Sequence, residues 1–176
     1  MNVYSSDSIA QKYDAYYKTE TGGEIDRIEK KAISAYLAGI PRGPMLELGC
    51  GTGHWTEFFA QTGFQVTAVD ASDAMLAVAQ SRNLPQAQFQ QADAASLPFP
   101  DNSFGVIATI TMLEFVKNRA LVFDEIYRVL KPGGWLVVGS LNASSELGKT
   151  KDRHETLKYA EFLSVNELNG YLSRFG

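Results

Sequence analysis

The chain has 176 residues, 45% apolar and 20% charged, which suffices to close one core and lacks the low-hydropathy, high-charge balance of a disordered chain. Its 20 acidic residues outnumber 16 basic ones for a net charge of -4, with no basic block, which argues against a nucleic-acid partner. No apolar run has membrane-spanning length, and the first residues lack the basic and apolar parts of a signal peptide. One cysteine, Cys50, and two histidines, His54 and His154, offer neither an internal disulfide nor a metal cluster. A cytoplasmic protein without membrane segment or metal is expected.

In chain order, Ile9, Tyr13, Tyr16 and Tyr17 fall on one helical face, as do Ile25, Ile28, Ala32, Tyr36 and Leu37, because steps of three and four return to the same side. Apolar strand-like runs follow at 45–48, 64–69, 87–90, 104–110 and 135–139. Helical spacing lies between them. Trp55, Phe58 and Phe59 suit a short crossover helix, Ser72 caps a second with Met75, Leu76 and Ala79 inward, and Val122, Ile126, Val129 and Leu130 mark a third. Lys131-Pro132-Gly133-Gly134 ends that helix, since proline lacks the donor a continuing helix needs. Ser164-Val165-Asn166-Glu167 reads as a capping box opening a helix to about Arg174. The alternation predicts an α/β fold: a doubly wound, Rossmann-like, mostly parallel sheet with helices on both faces. Strand 135–139 would be a flat apolar edge. Its cover is expected from a continuation beyond Gly176, a second copy in a homodimer, or another partner.

Glu47-Leu48-Gly49-Cys50-Gly51-Thr52-Gly53 lies between a strand and a helix, and glycines there let the main chain approach a ligand closely. The dinucleotide pattern would require glycine at position 54, which is His54, so nicotinamide binding is disfavoured. Val66-Thr67-Ala68-Val69-Asp70 ends in a carboxylate about twenty residues on. Ionised Asp70 suits the vicinal hydroxyls of a ribose and repels a 2′-phosphate. Asp93 can accept from an adenine amine and the Ala94 N–H can donate to a ring nitrogen, with Met75 and Phe99 against the ring faces.

These segments, with Val69-Asp70-Ala71-Ser72, Ala92-Asp93, Leu97-Pro98-Phe99-Pro100-Asp101-Asn102-Ser103-Phe104 and Arg128-Val129-Leu130-Lys131-Pro132-Gly133-Gly134, occur in an order that resembles the class I S-adenosylmethionine-dependent methyltransferases of the small-molecule type 11 branch. The likeness runs over about residues 9–176. It implies a methyl group passed by in-line displacement from S-adenosylmethionine to a small-molecule acceptor, leaving S-adenosylhomocysteine. It implies Glu47 near the cofactor's amino group, Gly49, Gly51 and Gly53 beneath its methionine portion, and Asp70 on the ribose. Ala71 and Met75 would flank the adenine, Asp93 and Ala94 would read its edge, and Thr109 or Thr111 would border the methionyl group. Tyr13, Tyr16 and Tyr17 would belong to an N-terminal lid, dividing the chain into a helical segment over 1–40 and a cofactor domain over 41–176.

Three positions depart from the family. Phe104-Gly105 stands where Phe-Asp is usual, Leu113-Glu114-Phe115-Val116 where many members carry a histidine, and the terminal antiparallel hairpin would lie beyond position 176. No general base transfers, and the candidates from the residues are Glu114, His154 and Tyr17. Methyl transfer needs mainly placement of the nucleophile and exclusion of water, so a base is optional. Two other classes remain open: a non-catalytic adaptor or sensor that keeps the nucleoside site, and a nicotinamide-dependent oxidoreductase.

Overall fold

A computed structural model describes residues 13–154 and 156–175. Five strands, β1 (Pro44–Leu48), β2 (Gln65–Asp70), β3 (Ala87–Gln91), β4 (Phe104–Ile110) and β5 (Leu130–Gly139), form one sheet in the order β3-β2-β1-β4-β5. Every pairing is parallel, and Met45 of β1 stands between Val66 and Val106. The helices are α1 (Glu20–Leu37), α2 (His54–Gln61), α3 (Asp73–Ser81), α4 (Arg119–Val129), α5 (Glu146–Thr150) and α6 (Val165–Leu172). Residues 13–17 are also helical, whereas Ile9 lies outside the described residues.

Both sheet faces are covered, as the near-continuous apolar strands require. On one face Leu37 of α1, Trp55 and Phe59 of α2 and Leu76 of α3 pack against Met45, Val66, Ala68 and Val106. On the other, Val122, Phe123, Ile126 and Val129 of α4 pack against Leu46, Leu48 and Ile107, and α6 adds Leu168 and Tyr171. The ring of Tyr171 stacks on that of Phe123 at 4.7 Å. The chain steps outward from β1 to β3, then returns to place β4 on the other side of β1. The direction of winding therefore reverses between β1 and β4, where their carboxyl ends leave a crevice.

Two expectations need correction. Ile25, Ile28 and Tyr36 do not face the core; they are 38%, 53% and 76% exposed. The inward face of α1 instead carries Gly22, Asp26, Lys30, Ile33 and Leu37, because Asp26 accepts from His54 and from Lys30, and Lys30 lies over the rings of Trp55 and Phe58. The helical periodicity holds but its face differs: hydrogen bonds and cation–π contacts at Asp26 and Lys30 join the apolar Ile33 and Leu37 in holding this helix. The second concerns residues 130–134. Leu130 pairs with Phe104 and Trp135 with Val106, so Lys131-Pro132-Gly133-Gly134 bulges out of β5 rather than preceding it. Gly133, at φ +73°, supplies the bend, and α4 stops at Val129.

The capping box at Ser164 forms as expected, with the Glu167 side chain accepting from the Ser164 N–H. Among the described residues β5 has no strand on its outer side, and Trp135 is 49% exposed there. No helix among them is long and apolar enough to cross a membrane, and no group of three or more His, Cys, Asp or Glu is placed to hold a metal.

Candidate active site

The turn after β1 is built from three glycines at φ +69°, +53° and +79°, namely Gly49, Gly51 and Gly53. Each serves a different need. A Cβ on Gly49 would lie 2.2 Å from Cγ of Met112, so Gly49 lets the loop after β4 close onto the turn. A Cβ on Gly53 would press Ala79 and Arg82 at 3.2 Å, which places that glycine in the packing of the turn on α3. A Cβ on Gly51 would meet nothing within 4 Å. Gly51 alone faces open space, the place for a ligand against the main chain.

This difference is testable. Gly49→Ala is expected to cost about 2–4 kcal/mol from positive φ plus overpacking, whereas Gly51→Ala should cost about 1 kcal/mol and act mainly on ligand affinity. Thermal melts with and without S-adenosylhomocysteine separate the two, and a larger stability loss for Gly51→Ala would reverse the assignment.

Asp70, at the end of β2, is tied to this turn. Its Oδ2 accepts from the Gly51 N–H at 2.8 Å and its Oδ1 from the Ser72 N–H at 2.8 Å. The carboxylate is thus held in one orientation with acceptor capacity left over. Burial pushes its pKa up, opposed by bonds from the Ser72, Gly51 and Ala71 N–H groups. Ala71 follows, exposed, and the Ser72 hydroxyl accepts from the Met75 N–H at 3.3 Å, while Met75 itself is 2% exposed. Asp93 is exposed after β3 and its Oδ1 accepts from the Ala95 N–H, with Ala94 half-buried between them. The Gln91 amide donates to the Ala71 carbonyl, joining the ends of β2 and β3.

Glu47 is 2% exposed on the β1 face turned toward α2, where the Thr56 hydroxyl donates to its Oε2 at 2.6 Å. Burial raises its pKa to about 8, which the Thr56 bond opposes and the neighbouring Asp70 charge reinforces. Thr109 and Thr111 differ sharply. Thr109 is wholly enclosed within β4, and its hydroxyl has no partner. Thr111 stands past the strand at φ +50°, a strained conformation for a β-branched residue, with its N–H bonded to the Gly139 carbonyl. Its side chain stands near enough to Tyr13 to offset part of the effect of burial on that phenol. Thr111, not the enclosed Thr109, therefore lines the crevice mouth.

Tyr13 brings the helical segment over that mouth. Its hydroxyl lies 3.5 Å from that of Tyr17, whose ring stacks on His54 at 3.8 Å and 6°. Burial raises the pKa of both tyrosines, so both stay neutral at ordinary pH. Tyr16 is 49% exposed and edge-on to Tyr17. His54 opens α2, and its Nε2 lies 2.7 Å from Asp26 Oδ1 and 3.0 Å from Lys30. Burial lowers the His54 pKa, and the neutral ring donates Nε2–H to Asp26.

The three base candidates separate. Tyr17 stacks on His54 at the start of α2 and lies beside Tyr13, with its phenol held neutral. Glu114 is 1% exposed in the turn after β4, with Oε1 accepting from the Leu141 N–H and the Ser140 hydroxyl and Oε2 without a partner. Burial raises its pKa, and its bonds make it a strut between the ends of β4 and β5. His154 is exposed beside the turn at Lys151–Arg153, and its backbone N–H and carbonyl bond Lys151 and Lys158 rather than any residue of the crevice. The structure also adds partners that local sequence does not signal. Asp14 meets Thr52 and Arg82, 38 and 68 positions away, and only the folded chain brings them together.

The chain matches the family model described as a methyltransferase domain over residues 46–138. It is 34% identical to an uncharacterised protein of Methanocaldococcus jannaschii, with all of this chain and 81% of that protein aligned. It is 35% identical to a demethylmenaquinone methyltransferase of Renibacterium salmoninarum over 77% of this chain, and it spans 56% of that enzyme's length. A solved S-adenosylmethionine-dependent methyltransferase of Thermotoga maritima superposes with a TM-score of 0.77 at 27% identity, covering 97% of this chain and 78% of that one. The glycine at position 54 that the oxidoreductase alternative needs is absent, and His54 is bound into α1 instead. The order of strands, the glycine turn bound to an acidic strand end, and these matches agree: the chain belongs to the methyltransferase-domain family, the class I enzymes that use S-adenosylmethionine.

Proposed function

We propose that this protein transfers a methyl group from S-adenosylmethionine to a small, flat, ring-bearing acceptor, in the manner of the quinone methyltransferase it resembles. The observation that carries the site is the Asp70 carboxylate fastened to the Gly51 amide beside open space. When bound, the cofactor supplies an activated methyl on a sulfonium. Asp70 receives the ribose hydroxyls, Ala71 and Met75 flank the adenine, and Asp93 with the Ala94 N–H reads its edge. Glu47 faces the amino group, Gly49 and Gly53 hold the turn, and Thr111 borders the methionyl part, with Thr109 enclosed behind it. Tyr13 and Tyr17 close the mouth, exclude water and offer ring faces to a flat acceptor.

Placement carries most of the rate, since an oriented nucleophile at about 3–3.5 Å needs little further assistance. Tyr17 keeps its phenol protonated, so it would orient an acceptor by hydrogen bonding or ring contact rather than take its proton. Glu114 acts through the backbone it supports, and His154 has no part. The lone buried Cys50 agrees with a cytoplasmic setting.

The test is a methyl-transfer screen with labelled S-adenosylmethionine against quinones, phenols and small amines. Ring-bearing quinones or phenols should become labelled and S-adenosylhomocysteine should raise the melting temperature. Cofactor stabilisation without label on any acceptor would favour an adaptor or sensor, and label on aliphatic amines alone would overturn the acceptor class.

A further inference from the structure

Residues 13–17 reach the body of the protein through two polar anchors. Asp14 Oδ1 accepts from the Thr52 hydroxyl at 2.5 Å, in the turn after β1, and Tyr13 stands beside the side chain of Thr111, past the end of β4. The segment therefore crosses the crevice between the two strands. Arg82, just past α3, joins everything at the first anchor. Its Nε donates to the Thr52 carbonyl at 2.6 Å, one terminal nitrogen to Glu57 of α2 at 2.6 Å, and the other to Asp14. Thr52 is fully buried and is held at both its hydroxyl and its carbonyl by this cluster. A planar guanidinium can meet three partners in fixed directions, which an ammonium cannot.

What the segment lacks is equally informative. Tyr16 is 49% exposed, Tyr17 only half-buried, and no residue of 13–17 belongs to either apolar core. A segment held by ion pairs and ring stacking rather than apolar burial belongs to the low-stability end of a fold, the part that opens first.

We propose that residues 13–17 form a strap across the cofactor crevice, latched by Asp14, Arg82 and Thr52, so that this ionic contact sets how long the cofactor stays bound. The inference rests on the assignment of the crevice to S-adenosylmethionine. Arg82 is a positioning residue: it aligns the glycine turn and the strap with one side chain and touches the reacting atoms with none. Opening the strap breaks the Asp14 contacts first, and the turn then keeps its Arg82 bond to the Thr52 carbonyl, so the crevice survives while its cover swings away.

The test compares Asp14→Asn, which keeps an acceptor for Thr52 but removes the charge facing Arg82, with Arg82→Lys, which keeps charge but loses the fork, and with the double variant. S-adenosylhomocysteine should dissociate about tenfold faster from each single variant, with the melting temperature little changed in Asp14→Asn and lower in Arg82→Lys, which also gives up its bonds to the turn and α2. Amide exchange over residues 13–17 should accelerate without cofactor, a readout independent of binding. The double variant should fall short of the product of the two single effects, because both variants break the Asp14–Arg82 contact, while Arg82→Lys alone also gives up bonds to the Thr52 carbonyl and Glu57. Unchanged dissociation in Asp14→Asn and Arg82→Lys, or additive effects, would overturn the strap while leaving the site intact. A wild-type protein that binds no S-adenosylhomocysteine would defeat the site assignment and the strap with it.

Discussion

Asp70→Ala is expected to weaken S-adenosylhomocysteine binding by about 100-fold or more, and to remove most of the cofactor's effect on the melting temperature. The estimate follows from the bonds the carboxylate would make. A hydrogen bond to a charged group contributes about 1.5–3 kcal/mol, and two ribose hydroxyls would each make one. A loss of that size corresponds to at least two decades in Kd. The variant also releases the Gly51 and Ser72 N–H groups that now donate to Asp70, so the turn itself loosens. Asp70→Asn separates the two effects, since its single carbonyl oxygen can still accept one backbone bond. It should fall between wild type and Asp70→Ala. Because burial raises the Asp70 pKa, and the ionised form is the better acceptor, affinity should fall on acidification at a higher pH than for an ordinary carboxylate. Titration calorimetry across pH measures both, and an Asp70→Ala protein with wild-type affinity would remove the ribose assignment.

The glycine turn and the acidic strand end are local features, which is why they are legible in the sequence. Positive φ at three glycines and a carboxylate at the end of an apolar run each leave a mark within a few residues. Strand alternation likewise reveals a doubly wound sheet, because fully buried parallel strands must be apolar throughout. What stayed hidden depends on distant partners. The inward face of α1 is set by Asp26 and Lys30 meeting His54, so its apolar residues at 25, 28 and 36 pointed to the wrong side. The ten-residue span of β5 is concealed by a bulge that reads as a helix stop, because proline and glycine punctuate both. The choice between Thr109 and Thr111 turned on a strained backbone at Thr111, which a threonine gives no reason to expect. The Arg82 cluster joins residues from four separate segments, so no window of sequence contains it.

Glu47 should make cofactor binding release about one proton per site near neutral pH. Burial raises its pKa to about 8, so the side chain in the free protein carries a proton at pH 7 while donation from Thr56 fixes its position. In the unfolded chain the same group ionises near its ordinary value. Between those two limits the folded state holds more protons than the unfolded one, so stability falls as pH rises from about 4.5 to about 8, by roughly 3–5 kcal/mol in all. Glu47→Gln removes the titration and should flatten this slope while keeping the Thr56 contact. A cofactor ammonium placed against Glu47 reverses the preference, because an adjacent positive charge favours the ionised carboxyl, and the proton leaves to buffer. Calorimetry at pH 7 should therefore give binding enthalpies that differ between phosphate and Tris by about the difference in their ionisation heats. The difference should vanish in Glu47→Gln. If the wild-type enthalpy is independent of buffer, the amino group of the cofactor is not against Glu47, and the buried acid is a structural partner of Thr56 alone.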